Sequence, residues 1–198
     1  MAEIKSTLEL VLERAARMGK ASQKDMESEE AEKKGMRFAA EFLDKKSDDI
    51  TALLDTEQGE IQMKCRSGMV TGLIRNIYLA RDEIQRERIK RALQGITDLS
   101  GQGGDIAAIC GELENIIGQY EQHRQQVREQ VENQFRMQVE QLLAQQGAQS
   151  QGNSADIDPT MHPKFAEEWT RVEGDLNSQY NTVLEQHKSQ LKLRFGIK

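Results

Sequence analysis

Residues 105–146 read DIAAICGELENIIGQYEQHRQQVREQVENQFRMQVEQLLAQQ, and this stretch decides the fold. It contains no proline, and its main apolar residues recur at steps of three, four or seven, which places them on one face of an α-helix. These residues are Ile106, Cys110, Leu113, Ile117, Tyr120, Val127 and Val131. Because an α-helix rises about 1.5 Å per residue, the stretch predicts one helix on the order of 60 Å long. Such a helix needs packing partners along its whole length.

The predicted long helix changes character near Gly118. Its first half is rich in isoleucine and leucine, and we expect it to share a core with residues 61–99. From Glu121 onwards, glutamine and arginine dominate and the apolar residues are sparse. Two consecutive steps of four depart from a heptad repeat there, which is typical of a stutter in a coiled coil. The residues at these steps are Val131, Phe135 and Val139.

The last predicted helix, from Pro163 to about Phe195, has the same sparse pattern and a similar stutter. The intervening segment 147–160 is rich in glycine, serine, asparagine and aspartate without periodicity, which predicts a flexible linker. Two similar rods joined by a linker predict an antiparallel hairpin. Their apolar seams are the candidate interface for a partner protein or a second copy. The candidate interface residues are Val127, Val131, Phe135, Val139, Leu142, Phe165, Trp169, Val172, Leu176, Tyr180 and Leu184.

Upstream of the long helix, apolar periodicity predicts four further helices. The first spans Glu3–Met18, with Gly19 as its C-terminal stop, and the second spans Ser22–Lys46. A short helix over Ile50–Gln58 follows, with aspartates before it that can cap its N-terminus. Residues 60–99 then form one long helical region, best buried around residues 69–78. Its predicted buried stripe is Ile61, Cys65, Met69, Leu73, Ile77, Ala80 and Ile84.

Glycines mark two features of the chain. Gly68 and Gly72 are four residues apart, a weak signal in a water-exposed helix that would allow another helix to approach closely. The stretch from Gly101 to Asp105 lacks the preceding strand and the Gly-Lys-Ser/Thr ending of a phosphate-binding loop. It is therefore predicted to be a turn between helices, with Asp105 capping the long helix.

These patterns together predict an all-α protein, an elongated helical bundle with a long antiparallel, coiled-coil-like helical hairpin. We predict an N-terminal bundle region over residues 1–118 and the hairpin over residues 119–198, including the linker 147–160. The composition agrees, since 37% hydrophobic and 5% aromatic residues suit long helices with narrow apolar seams better than a compact sphere.

The composition also limits the partners and the compartment. A net charge of −6 argues against nucleic acid, and no run approaches the roughly 18 apolar residues that a membrane span needs. Residues 1–5 lack the basic start of a signal peptide, so we expect a cytoplasmic protein. Cys65 and Cys110 are isolated and are predicted to be reduced core residues.

A basic cluster precedes the glycine-rich turn, but acidic residues are interleaved with it. Ion pairs at a spacing of four, such as Asp82 with Arg86, are therefore favoured over nucleic-acid contact. The basic residues are Arg81, Arg86, Arg88, Lys90 and Arg91.

No constellation in the sequence supports catalysis. There is no G-x-S-x-G elbow, and His123, His162 and His187 belong to no E-x-x-H or H-x-x-x-H pair. His123 and His187 could approach each other in the hairpin, although surface histidines are the favoured interpretation. We therefore predict no cofactor, no metal and no enzymatic activity.

The favoured function is a non-enzymatic structural or interaction protein that acts through helix–helix contacts, with itself or an unknown protein partner, and forms a homo-oligomer. One alternative is a monomeric adaptor or regulatory module that binds a helix of a partner protein. Another is an enzyme or ligand-binding bundle with a site within residues 60–120.

Overall fold

The computed structural model describes residues 7–101, 103–145, 158, 160 and 163–197, with side chains described from residue 23 except at 142–145 and 163. The long elements in these ranges are all α-helices and none of these residues lies in a strand, which confirms the all-α prediction. The helices are α1 (Thr7–Leu43), α2 (Ile50–Leu54), α3 (Gly59–Arg75), α4 (Glu83–Leu99), α5 (Gly104–Gln145) and α6 (Pro163–Arg194).

The helices pack into two compact units. Unit 1 comprises Met1–Ile77, Arg88–Ala108 and Leu191–Lys198, and unit 2 comprises Tyr78–Glu87 and Ile109–Gln190. The predicted division into regions 1–118 and 119–198 stays a prediction, since shared packing does not test which segments fold independently.

The helix α1 is continuous, so the prediction of two helices separated at Gly19 is wrong. A glycine inside a helix costs only about 1 kcal/mol relative to alanine, and strong helix formers on both sides can offset that cost. Glycine acts as a stop when the chain turns into the left-handed conformation, and α1 instead ends beyond Leu43, where Lys45 has a positive φ of 59°.

The single helix predicted over residues 60–99 is also wrong, because α3 ends at Arg75. The side chain of Asn76 donates a hydrogen bond from Nδ2 to the carbonyl oxygen of Gly72 at 2.8 Å, and its backbone leaves the helical conformation. The apolar spacing continues through this break, since Ile77 and Ala80 are buried outside any helix. Periodicity alone therefore could not reveal the end of α3.

The start of α4 is set by polar side chains. Asp82 Oδ1 accepts a hydrogen bond from the backbone N–H of Gln85 at 2.8 Å, and Gln85 Oε1 accepts one from the N–H of Arg81 at 2.9 Å. This reciprocal pattern resembles a capping box. Asp82 is thus a cap, and Arg86 pairs with Glu83 and Glu121 instead.

The predicted buried stripe over residues 61–84 is correct only in its middle. Cys65, Met69 and Leu73 are fully buried, as are Val70, Ile74 and Ile77, which confirms that residues 69–78 contain the best-buried part of this region. Its two ends are exposed, Ile61 near the start of α3 and Ile84, with 85% of its surface accessible, in the first turn of α4.

The helices α1 and α3 cross in direct backbone contact. A β-carbon at Gly35 would lie 2.0 Å from the carbonyl oxygen of Cys65, and one at Gly68 would lie 2.1 Å from that of Glu32. A β-carbon at Gly72 would meet the side chain of Ala39 at 2.9 Å. The close approach predicted from Gly68 and Gly72 is present, and only glycine fits at its centre.

The helix α4 packs into the same core of unit 1. A β-carbon at Gly95 would lie 2.9 Å from the ring of Phe42. Arg91 covers the other side, with its guanidinium 4.3 Å from the centroid of that ring and its Nε 2.6 Å from the Phe42 carbonyl oxygen. An arginine thus satisfies a carbonyl at the end of α1 while it shields an aromatic ring.

Two sequence predictions about unit 1 are confirmed. Asp49 caps α2, since its Oδ1 accepts hydrogen bonds from the backbone N–H groups of Thr51 at 2.8 Å and Ala52 at 3.2 Å. The Thr51 hydroxyl and these N–H groups hold the pKa of Asp49 below its ordinary value. Cys65 is a buried free thiol, and burial raises its pKa. Cys110, which lies in unit 2, is also free and buried.

The helix α5 is unbroken over 42 residues, which confirms the single long helix. Its start differs from the prediction, because the carbonyl of Gly103 already accepts hydrogen bonds from the N–H groups of Ile106 and Ala107. Asp105 lies in the first turn and accepts from Ile106 at 3.0 Å, so it is not the cap. Its charge still suits the positive helix end.

Candidate functional site

Within unit 2, α5 and α6 pack side by side in opposite directions. Because residue numbers rise along α5 as those of their contacts fall along α6, the described parts of the two helices are antiparallel. Three contacts show this direction: Tyr120 with Asn177, Arg124 with Glu173, and Phe135 with Phe165. The segment 147–160 lies outside the described residues except at 158 and 160, so the complete hairpin stays a prediction.

Three pairs of side chains at spacings of four form what we call the polar ladder. Tyr120, Arg124 and Arg128 on α5 face Asn177, Glu173 and Trp169 on α6, in that order. A spacing of four keeps each set on one face of its helix. The polar ladder therefore supplies directional contacts at one register, which apolar contacts alone specify less sharply.

The first rung of the polar ladder is buried. The hydroxyl of Tyr120 donates a hydrogen bond to Asn177 Oδ1 at 2.7 Å, and burial raises the pKa of Tyr120. Its ring meets the ring of Tyr180 edge-on, with centroids 5.4 Å apart. The Tyr180 hydroxyl in turn lies 3.4 Å from Nδ1 of His123. A partly buried polar group is thus paired rather than left unsatisfied.

The other two rungs centre on Trp169, the only tryptophan of the chain. The guanidinium groups of Arg124 and Arg128 lie 5.6 and 5.7 Å from the centroid of its ring. Arg124 donates from Nε to Glu173 at 2.7 Å, and Arg128 donates from Nε to Glu132 at 2.8 Å. Each guanidinium is therefore held by a carboxylate and by a cation–π contact.

The two histidines of the paired helices do not meet, so the considered approach of His123 to His187 is wrong. His123 lies against Tyr180, whereas Nδ1 of His187 lies 3.1 Å from Glu112 Oε2, outside hydrogen-bond orientation. The antiparallel register places the two histidines about three helical turns apart along the pair. Among the side chains that the structure describes, no group of three His, Cys, Asp or Glu residues could hold a metal ion.

The predicted interface residues fall into three sets. Val131, Phe165, Leu176 and Leu184 are buried within the chain itself, which leaves them little surface for another molecule. The side chain of Leu142 lies outside the described residues. The remaining residues are half-buried, namely Val127, Phe135, Val139, Trp169, Val172 and Tyr180. Their role in an interface stays a prediction.

Sequence reasoning missed the polar ladder. Its signal was present, because Tyr120, Arg124 and Arg128 follow one another at steps of four, as the three residues opposite them do. Apolar spacing selects Tyr120 and Trp169 alone, because the pairing of the polar residues depends on the register between α5 and α6.

A model of a family of unknown function (DUF6657) matches residues 51–193, well over half of the chain. No curated protein and no solved structure matches the chain. The described part of the chain contains no helix with an apolar stretch long enough to cross a lipid bilayer.

Proposed function

The chain belongs to the family of unknown function DUF6657, and we propose from its own geometry that it is a non-enzymatic structural or interaction protein. It acts through helix–helix contacts, and its interface is the open side of the α5–α6 pair, where a second copy binds. A cytoplasmic location is part of the same proposal.

One observation carries this proposal, the incomplete burial of the seam between α5 and α6. Val127, Phe135 and Val139 lie on one face of α5, and each is only half-buried within the described part of the chain. Two helices with so sparse a seam are marginally stable by themselves, and further helices packed against them bury the remaining apolar surface.

Charge supports a second copy as the occupant. Twofold interfaces are self-complementary, so a surface that pairs with itself needs both signs of charge. The paired helices carry both, since Arg128 lies beside Glu132 on α5 and Arg171 lies between Glu168 and Asp175 on α6. Exposed ion pairs of this kind add little affinity, but they select partners and orientation.

Size-exclusion chromatography with light scattering tests the proposal. We expect a mass above the 22.5 kDa of one chain that rises with protein concentration. Val139→Glu should shift the mass towards one chain, because it places a charge in the half-buried seam. The matched control is Met137→Glu, two residues away on the opposite face of α5, where 56% of the side-chain surface is exposed.

Two results would contradict self-association through the seam of α5 and α6. A mass of one chain at every concentration would exclude it, and it would favour the alternative of a monomeric adaptor that accepts a helix of another protein. An equal loss of mass in the Val139→Glu and Met137→Glu variants would place the contact elsewhere.

A further inference from the structure

A cleft of about 340 Å³ opens in unit 2 between the segment that precedes α4 and the middle of α5. Its volume lies within the range of small-molecule sites. Three arginines line it, Arg81 before α4 and Arg124 and Arg128 on α5. Three carboxylates also line it, those of Asp82, Glu83 and Glu121.

The carboxylates of the cleft are committed to other groups. Asp82 accepts the N–H of Gln85 at the start of α4. Glu121 lies 3.3 Å from Nη1 of Arg86, and Glu83 lies 3.8 Å from the same atom. Arg86 is not among the residues that line the cleft. The negative charge at the wall is therefore largely satisfied from outside the cavity.

The arginines of the cleft keep free donors. Arg124 and Arg128 each bind a carboxylate through Nε, and their Nη groups make no hydrogen bond within the described part of the chain. The side chain of Arg81 forms no ion pair or hydrogen bond with any described residue. An arginine has five N–H donors in a planar fork, so these groups can still bind a ligand.

The two arginines of α5 are also held in place. Both contact the ring of Trp169, and each is anchored by its carboxylate. They are four residues apart, which separates them by about one helical turn, or ~6 Å. Both arginines line the cleft, as does Arg81 from the segment that precedes α4, so one anion in the cleft can be bound by all three.

We propose that this cleft binds the phosphate group of a small phosphorylated compound. A phosphate monoester has three terminal oxygens and a charge of about −2. Three guanidinium groups therefore suit a phosphate better than a carboxylate, which has two oxygens and a single charge. The roughly 340 Å³ of the cleft exceeds the volume of one phosphate, so the remainder of the compound also has space. Phosphate binding in this cleft does not require self-association through the α5–α6 seam.

Titration with inorganic phosphate and with glycerol phosphate tests the proposal. Calorimetry and the fluorescence of Trp169 measure the binding. Sodium chloride at matched ionic strength and succinate serve as controls for screening and for a carboxylate ligand. We expect saturable binding of both phosphates, with a changed Trp169 emission, since two lining arginines contact that ring. Succinate should bind at least about tenfold more weakly.

Variants then locate the site. Arg81→Gln removes an exposed side chain that forms no hydrogen bond or ion pair with the described residues, so it should leave the melting temperature unchanged and weaken phosphate binding at least about tenfold. Arg128→Gln should do the same to binding. Arg171→Gln, which removes the same charge from α6 outside the cleft, should bind phosphate as the natural protein does.

Several results would overturn this proposal. These are the absence of saturable binding, a response that sodium chloride reproduces, and equal affinity in the Arg81→Gln and Arg171→Gln variants. Succinate that binds as tightly as phosphate would show that the ligand class is wrong.

Discussion

The two units hold their helices together in different ways. In unit 1, α1 and α3 touch backbone to backbone at Gly35 and Gly68, where a β-carbon would overlap a carbonyl oxygen. In unit 2, α5 and α6 are held by large side chains, and the polar ladder sets their register. The glycines that the structure describes in unit 2 face open space, namely Gly111, Gly118 and Gly174.

The contrast shows what each unit is sensitive to. A contact made through glycine depends on shape, so added volume breaks it whereas a change of charge nearby matters little. A contact made through a polar ladder depends on pairing, so the loss of one partner leaves the other unsatisfied. The contact between α1 and α3 is closed by its packing, whereas the seam of unit 2 keeps apolar surface that a further helix can cover.

The largest expected effect tests the glycine contact. Replacement of both Gly35 and Gly68 by alanine should destabilise the protein by about 4 kcal/mol, because each site adds up to ~3 kcal/mol of overpacking against rigid backbone. Urea unfolding followed by circular dichroism measures the change.

The matched control for this variant is Gly118→Ala in α5. A β-carbon there meets nothing within 4 Å, so alanine should stabilise the helix by about 0.5–1 kcal/mol. A similar loss of stability in both variants would remove the distinction between the two units.

A smaller effect is expected from the core of the paired helices. Leu184 of α6 is 1% exposed, and its replacement by alanine should cost about 3 kcal/mol through lost burial and a residual cavity. The same substitution at Leu193, which is 76% exposed on the same helix, should change stability by less than about 0.5 kcal/mol. Equal effects at both positions would contradict the observed packing of α6.

The smallest effect concerns the polar ladder and depends on pH. Tyr120→Phe removes the hydroxyl that binds Asn177, which should cost about 1 kcal/mol at pH 7. Because burial raises the pKa of Tyr120, folding disfavours its ionised form. The stabilisation that the neutral Tyr120 hydroxyl gives is complete below the pKa of tyrosine in the unfolded chain, about 10. It is lost as pH rises from there through the higher pKa of Tyr120 in the folded protein.

The stability difference between the natural protein and Tyr120→Phe should therefore shrink above about pH 10. Urea unfolding of both proteins at neutral pH and above pH 10 measures this difference. All other groups titrate alike in the two proteins, so their effects cancel in the difference. A difference that stays constant, or one that grows with pH, would contradict the burial of this hydroxyl.

The sequence predicted some elements of this fold well and others poorly, for physical reasons. The sequence located the ends of α5 and α6 to within one residue, because glycine, aspartate or proline residues flank two long periodic segments. The break after α3 was missed because Ile77 and Ala80 continue the stripe through a non-helical segment. Gly19 was misread because a glycine ends a helix only where the backbone changes conformation.

The candidate site was predictable in part. The seam residues Val131, Phe135 and Phe165 were found from their apolar spacing. The arginine contacts on Trp169 were not, because they depend on the register between two helices that are distant in the sequence. The cleft beside Arg81 was not predictable either, since the capping role of Asp82 appears only when the start of α4 is known.

Hydrogen–deuterium exchange at low and high protein concentration tests the central claim most directly, namely that the open seam of α5 and α6 is the surface through which the protein acts. We expect protection to rise with concentration in residues 127–141 and 165–172, and to stay unchanged in the closed core at residues 65–74 of α3. Protection that does not depend on concentration, or that rises only at residues 65–74, would contradict the claim.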